Sequence, residues 1–402
     1  MKYEDFQRIE ERAFYALFAL FGVVVLLGAG AWHYMEEHGH VVTGMSNQVV
    51  WGIPHVFAIF LIVAASGVLN VASIGSVFGK TLYKARAPLS GMLALAMLGG
   101  GLAVLMLDLG RSDRIIIAST YFNPTSVFAW NVILYSGFFG IVAAYLVSMM
   151  APRMKAYSKY IGLAAFIWRV ILTTGTGSIF GFLVARQAYD SALLAPMFIV
   201  MSFSYGLAVF ILVQSTMYSW NGLMLDAAIR RRMKNLLAIF VSAVLYFTLV
   251  YHMTNLYFAK QTDFERFILL DGGIYTSLFW FGQVIVGSLI PLAILFHPQL
   301  SSRCSAVVVA SVLIIFGAFC QLYVFIIGAQ AFPLNLFPGM EATSSFFDGR
   351  MPHPYTPSLP EVLLGLGGIG VAGLITMVAV RAFQFMPRDD YDQTVKAEIA
   401  PE

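Results

Sequence analysis

Charge is scarce in this sequence: Asp, Glu, Lys and Arg make up 11% of its 402 residues, while 59% are hydrophobic. An ordinary soluble domain carries about a quarter charged residues, so that class is excluded and no nucleic-acid partner is expected. Cysteine is nearly missing as well, with Cys304 and Cys320 alone. Sixteen positions apart on one predicted helix, they stand about 24 Å from each other, so they cannot pair and the chain holds no iron–sulfur cluster of its own. Long polar stretches are also absent, which leaves no room for a separate soluble domain. The first apolar run lacks a short core followed by small residues at a cleavage site, so it reads as a retained helix and not a signal peptide.

What the sequence has is oil in long runs. Apolar segments able to cross about 30 Å of hydrocarbon as helix fall near 13–34, 52–78, 88–109, 126–150, 159–183, 195–218, 235–257, 273–296, 305–330 and 360–383. Their continuity predicts helices, because barrel strands would alternate apolar and polar residues over about ten positions. The fold class expected is therefore an all-α polytopic membrane protein of ten spans, residues 1–402 forming one membrane domain.

The basic residues sort these spans by side. With the N-terminus inside, seventeen of the 24 Lys and Arg lie in inner segments, among them Arg230, Arg231, Arg232 and Lys234, and six lie outside. Arg169 alone stays within a span. The positive-inside rule then puts both termini in the cytoplasm.

With that orientation, unusual polar residues gather toward the outer third of one helix group. Trp51-Gly-Ile-Pro-His55 opens the second span, Asp108-Leu-Gly-Arg111 closes the third, and Asn123-Pro-Thr-Ser126, followed by Trp130, opens the fourth. Among 21 acidic residues Asp108 is the one expected inside the hydrocarbon region, where a carboxylate is costly and marks a route for protons, ions or substrate. His55 at matching depth supplies a proton partner near neutral pH. Competing readings make Asp108 a helix-end residue paired with Arg111, or have both reach to the interface. Ser66, Asn70, Tyr135, Ser136 and Arg169 line up as a proton path inward, although small polar residues in spans often only join helices. Arg169 has no acidic partner at its depth. His252, Tyr189 and Asp190 could extend the outer region, where a lone His or Tyr is more commonly an anchor.

A faint internal repeat is present. Thr125-Ser126-Val127-Phe128 has a counterpart in Thr276-Ser277-Leu278-Phe279, and Pro54 one in Pro196. An offset of four helices predicts two parallel four-helix bundles, 52–183 and 195–330, followed by an outer loop, 331–359, and a last helix, 360–383. Met197 follows Pro196 where His55 follows Pro54, and no acid matches Asp108, so the first bundle is the one expected to react. The Pro-, Gly- and aromatic-rich loop is a candidate for partner docking or a lid over its own helices.

These motifs and the ten-span layout resemble the NrfD/PsrC-type membrane subunits of respiratory complexes over most of the chain, and within them the DsrP type of DsrMKJOP complexes of sulfur metabolism. The resemblance implies a multi-pass subunit of the bacterial inner membrane that exchanges electrons between quinone and a periplasmic ferredoxin-like iron–sulfur subunit, with multihaem cytochrome c and membrane cytochrome b subunits as further partners. Menaquinone or ubiquinone would be its substrate, with no covalent or metal cofactor in this chain. Carried onto this sequence, it makes His55 and Asp108 the quinone and proton ligands, supported by Arg111, Asn123, Ser126, Trp130 and Tyr135. Activity would belong to the assembled oxidoreductase, not to this chain alone. Two other classes compete. A haem b cytochrome needs paired imidazoles, and only His55 and His252 are well inside spans, with His33 marginal. A secondary transporter suits repeated bundles, but such proteins favour inverted repeats and a midplane site.

Overall fold

A computed structural model of the chain describes residues 6–7, 11–221, 225–334, 343–344, 347–348, 355–383 and 385–387. Ten helices within it are long and apolar enough to cross a membrane. They are α1 (Ala13–His38), α2 (Ile53–Ser76), α3 (Ala87–Leu107), α4 (Val127–Met150), α5 (Pro152–Gly181), α6 (Leu194–Trp220), α7 (Ala227–Tyr257), α8 (Ile274–Phe296), α9 (Cys304–Ala331) and α10 (Leu359–Ala382). In hydrocarbon every backbone amide must be satisfied within its own segment, and a helix does so over any apolar run of this length. The expected bounds hold within a few residues except at α5 and α7, which start seven and eight residues early. The first turns of α7 carry Arg230, Arg231, Arg232 and Lys234, and the Asp226 carboxylate accepts from Ala228 N at its N-terminus. A capped, charged helix continues past the apolar run that hydropathy sees.

Packing follows chain order. Helix α2 lies against α3 and α5, and α4 against α3 and α5, closing one ring of four; α6, α7, α8 and α9 close another. The rings meet where α2 crosses α6, and α5 and α9 add to this seam. Glycines set the crossing: a Cβ on Gly67 would strike the Ser202 carbonyl, and one on Gly206 would strike the Gly67–Val68 backbone. Lipid gives helices no hydrophobic reason to associate, so close backbone approach through small residues supplies the contact. Helix α10 packs on α3 and α2 and carries α1 on its other side, with Gly28 against Gly367.

A two-residue ladder pairs Phe6–Gln7 before α1 with Met386–Pro387 after α10, so these two segments lie on one side. The opposite side, called distal below, holds the α1–α2, α3–α4, α5–α6, α7–α8 and α9–α10 connections. Of the expected outer loop, residues 335–342, 345–346 and 349–354 lie outside the described residues. The two cysteines are free thiols, as expected.

Candidate functional site

The distal rim of the first ring is built by backbone grips on a short run before α2. Val50 N and Trp51 N both donate to Gln330 Oε1 at 3.0 Å, while Gln330 Nε2 donates to Trp51 O and Ile326 O. Two residues on, Ile53 N donates to the Tyr355 hydroxyl at 2.7 Å, which itself donates to Glu361 Oε1 at 2.8 Å. Burial and the adjacent Glu361 carboxylate push the Tyr355 phenol far above its ordinary value, so it stays a neutral donor. Gly52 is required here, because a Cβ would fall on Glu361 and Tyr355. Pro54 then stands in the first turn of α2, where its missing N–H costs nothing. These contacts fix the point from which His55 projects.

Asp108 arrives from α3. It closes that helix, its N–H reaching Val104 O at 2.9 Å, and His40 Nε2 meets its carbonyl at 3.0 Å. A helix C-terminus carries partial negative charge and disfavours a carboxylate, so Asp108 stands against the local field. What offsets this is His55, whose Nδ1 lies 2.9 Å from Asp108 Oδ2, with side-chain exposures of 20% and 1%. The contact is close but not aligned as a hydrogen bond, and among the described residues neither Asp108 oxygen nor His55 Nδ1 has an aligned partner. A buried carboxylate left in this condition is rare and suits a group that must accept a hydrogen bond from something that comes and goes.

The supporting residues divide. Trp51 joins His55, its ring centroid 6.2 Å from the imidazole and 6.3 Å from Phe128. Arg111 does not join. Gly110 follows the helix end, the chain turns outward, and the exposed Arg111 guanidinium pairs with Asp113 at 3.2 Å instead of Asp108. Arg111 therefore does not support the pair, and the competing Asp108–Arg111 helix-end pair is corrected. Asn123 is exposed and accepts from Thr125 N and Oγ1, holding its own turn. Ser126 starts α4 without a side-chain cap, and Trp130 is exposed with its indole N–H on Pro124 O. Tyr135 is buried beside Thr176 on α5.

Deeper in the ring, Ser66 Oγ lies 2.6 Å from Thr173 Oγ1 and 3.3 Å from Arg169 O. The Arg169 side chain is buried between Phe166 and Phe203, 4.8 and 5.0 Å from their centroids, so aromatic faces take the place of the missing acid. Asn70 is half-buried with Nδ2 unpartnered among the described residues. Ser136 is exposed and bonds back to Val132 O, so the structure does not bring it to the others. Tyr189 is buried with its hydroxyl near Phe325 O and Ile326 O, and Asp190 pairs with Lys260 at the rim.

Asp108 is not alone as a buried acid: among the described residues Glu265 and Glu361 are also fully buried near the distal end. Glu361 had a readable signal in Ser358-Leu-Pro-Glu361, the spacing by which Glu binds back to the residue before a helix; Ser358 N donates to its Oε2. Glu265 meets His252, so the second ring has not lost imidazole–carboxylate chemistry. Gln330, Tyr355 and Glu265 left no local pattern, because each acts across hundreds of residues or around a helix end.

Residues 41–334 match the family model described as Polysulphide reductase, NrfD. The chain is 30% identical over 396 residues to an Hdr-like menaquinol oxidoreductase integral membrane subunit of Archaeoglobus fulgidus, covering 98% of this chain and 99% of that protein. It is 21% identical over 402 residues to a selenate reductase subunit of Mesobacillus selenatarsenatis, covering 90% of this chain and 92% of that one.

Proposed function

Because this chain belongs to the polysulphide reductase NrfD family, we propose that it is the subunit that binds quinol at the distal rim of its first ring and passes the electrons to a partner. It is a multi-pass integral membrane protein and a membrane subunit of the quinone/menaquinol oxidoreductase kind. The observation that carries the site is the buried Asp108 carboxylate, 2.9 Å from the partly exposed His55 imidazole and without an aligned partner among the described residues.

Oxidising a quinol removes two protons and two electrons. His55 Nε2 accepts one hydroxyl proton while Asp108 holds the charge that forms on the imidazole, and the carboxylate takes up the second proton. Trp51 and Phe128 form the apolar wall against the ring. The electrons leave to a ferredoxin-like iron–sulfur subunit docked on the distal face, with cytochrome c and cytochrome b subunits beyond it. Menaquinol is the favoured quinol, since the Archaeoglobus relative is named for it.

The distal face is periplasmic and both termini are cytoplasmic in this reading, supported by the sorting of Lys and Arg. The two rings, 52–183 and 195–330, are taken as the repeated halves, and Ser66, Thr173, Asn70 and Arg169 as the start of a proton route inward from the site. Placement in a sulfur-metabolism complex, as a DsrP-type subunit, belongs to the same proposal.

The test is the binding of a fluorescent quinol-analogue inhibitor to membranes containing the protein. Saturable binding that is lost or weakened at least tenfold in His55→Ala and Asp108→Asn, with insertion intact, is expected. Unchanged affinity in both would move the site elsewhere.

A further inference from the structure

The proposed site leaves a second imidazole–carboxylate pair unused, at the distal end of the second ring. His252 on α7 sets Nδ1 2.6 Å from Glu265 Oε2, and Glu265 Oε1 accepts from Asn255 Nδ2 at 2.8 Å. As in the first ring, the carboxylate is fully buried while the imidazole reaches the surface, here 14% exposed. A carboxylate accepting from Nδ1–H fixes the tautomer and leaves Nε2 as the acceptor. Among the described residues nothing else bonds to that ring.

The surroundings repeat those of the first ring. Phe279, edge-on to His252 at 4.7 Å, belongs to the Thr-Ser-x-Phe stretch that matches the one containing Phe128. Each rim has a half-exposed tryptophan tied to a carbonyl of the preceding loop: Trp130 to Pro124 O, and Trp280 to Leu269 O. Met253 and Leu256, exposed on α7 beside the pair, continue an apolar edge toward lipid. From Leu278 to Leu289 α8 winds as a π-helix, a conformation frequent at functional sites. The pair is nevertheless no sequence copy of the first, since His55 and Asp108 come from α2 and α3 whereas His252 and Glu265 come from α7 and the connection after it. The same group has been assembled twice from different positions.

We propose that His252 and Glu265 form a second binding site for a quinol or quinone headgroup. His252 Nε2 takes the hydrogen bond from a ring hydroxyl, Phe279 packs beside the imidazole, and the edge of α7 and α8 admits the tail from the bilayer. The inference rests on the reading of His55 and Asp108 as a quinol site, and it concerns binding alone. A pair serving only to pin the loop to α7 would be best buried on both partners.

Fluorescence quenching of heptyl-hydroxyquinoline N-oxide, titrated into membranes containing the chain, counts the sites. Two equivalents are expected for the wild type, one for His55→Ala, one for His252→Ala and none for the double variant. A single equivalent lost in His55→Ala overturns this inference and leaves the first site standing. A single equivalent lost only in His252→Ala supports it and moves the quinol from the first ring to the second. No binding in the wild type overturns both. To guard against misfolding of His252→Ala, an azido-quinone is also photolysed on the unaltered protein: adducts on peptides containing Met253, Phe279 or Trp280 are expected, and adducts confined to the first ring overturn the proposal.

Discussion

Single side chains decide whether the rim of the first ring is a site or a strut. Asp108→Asn keeps the shape and removes both the charge and the ability to take a proton. Quinol oxidation by the assembled complex should therefore fall about a hundredfold or more, the scale of a lost general base, with thermal stability little changed. His55→Ala is expected to do more harm, because it strands a buried carboxylate; breaking such a pair costs about 3–5 kcal/mol. Thermal unfolding of the two variants in detergent, beside turnover, separates chemistry from stability. Arg111→Ala is the control that tells this geometry from a helix-end pair. Its guanidinium is exposed and bound to Asp113, and such solvent-screened pairs contribute little. Inhibitor affinity should match the wild type; a large loss would restore Arg111 to the site. Sequence pattern named His55 and Asp108 because a carboxylate and an imidazole at one depth are improbable without a reason. It misjudged Arg111 because three residues past an acid means contact only while the helix continues, and this helix ends at Leu107.

At the scale of elements, the spans were legible, most of them to within a few residues, because hydrocarbon leaves the backbone no alternative to a helix, whereas their mutual placement was less so. No periodicity announces that Gly67 meets Gly206; both are glycines in oily runs, and only the crossing shows that neither has room for a Cβ. Gly206→Leu should push α6 off α2 at the seam of the two rings. Overpacking costs about 1–3 kcal/mol where side chains can yield, and more is expected here because the obstruction is backbone. Limited proteolysis of the connections and a lowered unfolding midpoint would register it, and a wild-type midpoint would show that the helices can part without loss. Gly140→Leu in α4, where a Cβ meets nothing within 4 Å, should leave the midpoint unchanged.

For the molecule as a whole, the reactive rim belongs to one ring but is held by its neighbours. Gln330 sits at the end of α9, in the second ring, yet its amide binds the N–H groups of Val50 and Trp51 and the Trp51 carbonyl, while Arg186 ties Gln330 O to Gln48 O. From α10, Glu361 acts through Tyr355 on Ile53 and directly on Gly44. None of this was visible in the sequence, since a glutamine 275 positions from His55 carries no spacing signal. The arrangement implies that disturbing the second ring is felt in the first. Gln330→Ala removes the shared acceptor of two part-buried N–H groups and frees the turn that aims His55. Affinity for the quinol analogue should fall several-fold in this variant although Gln330 touches neither His55 nor Asp108. Gln330→Glu, which keeps an acceptor for Val50 and Trp51 but loses the donor to Trp51 O, should fall between it and the wild type. Equal affinity in all three would mean that α2 holds His55 unaided and that the two rings are joined only by packing.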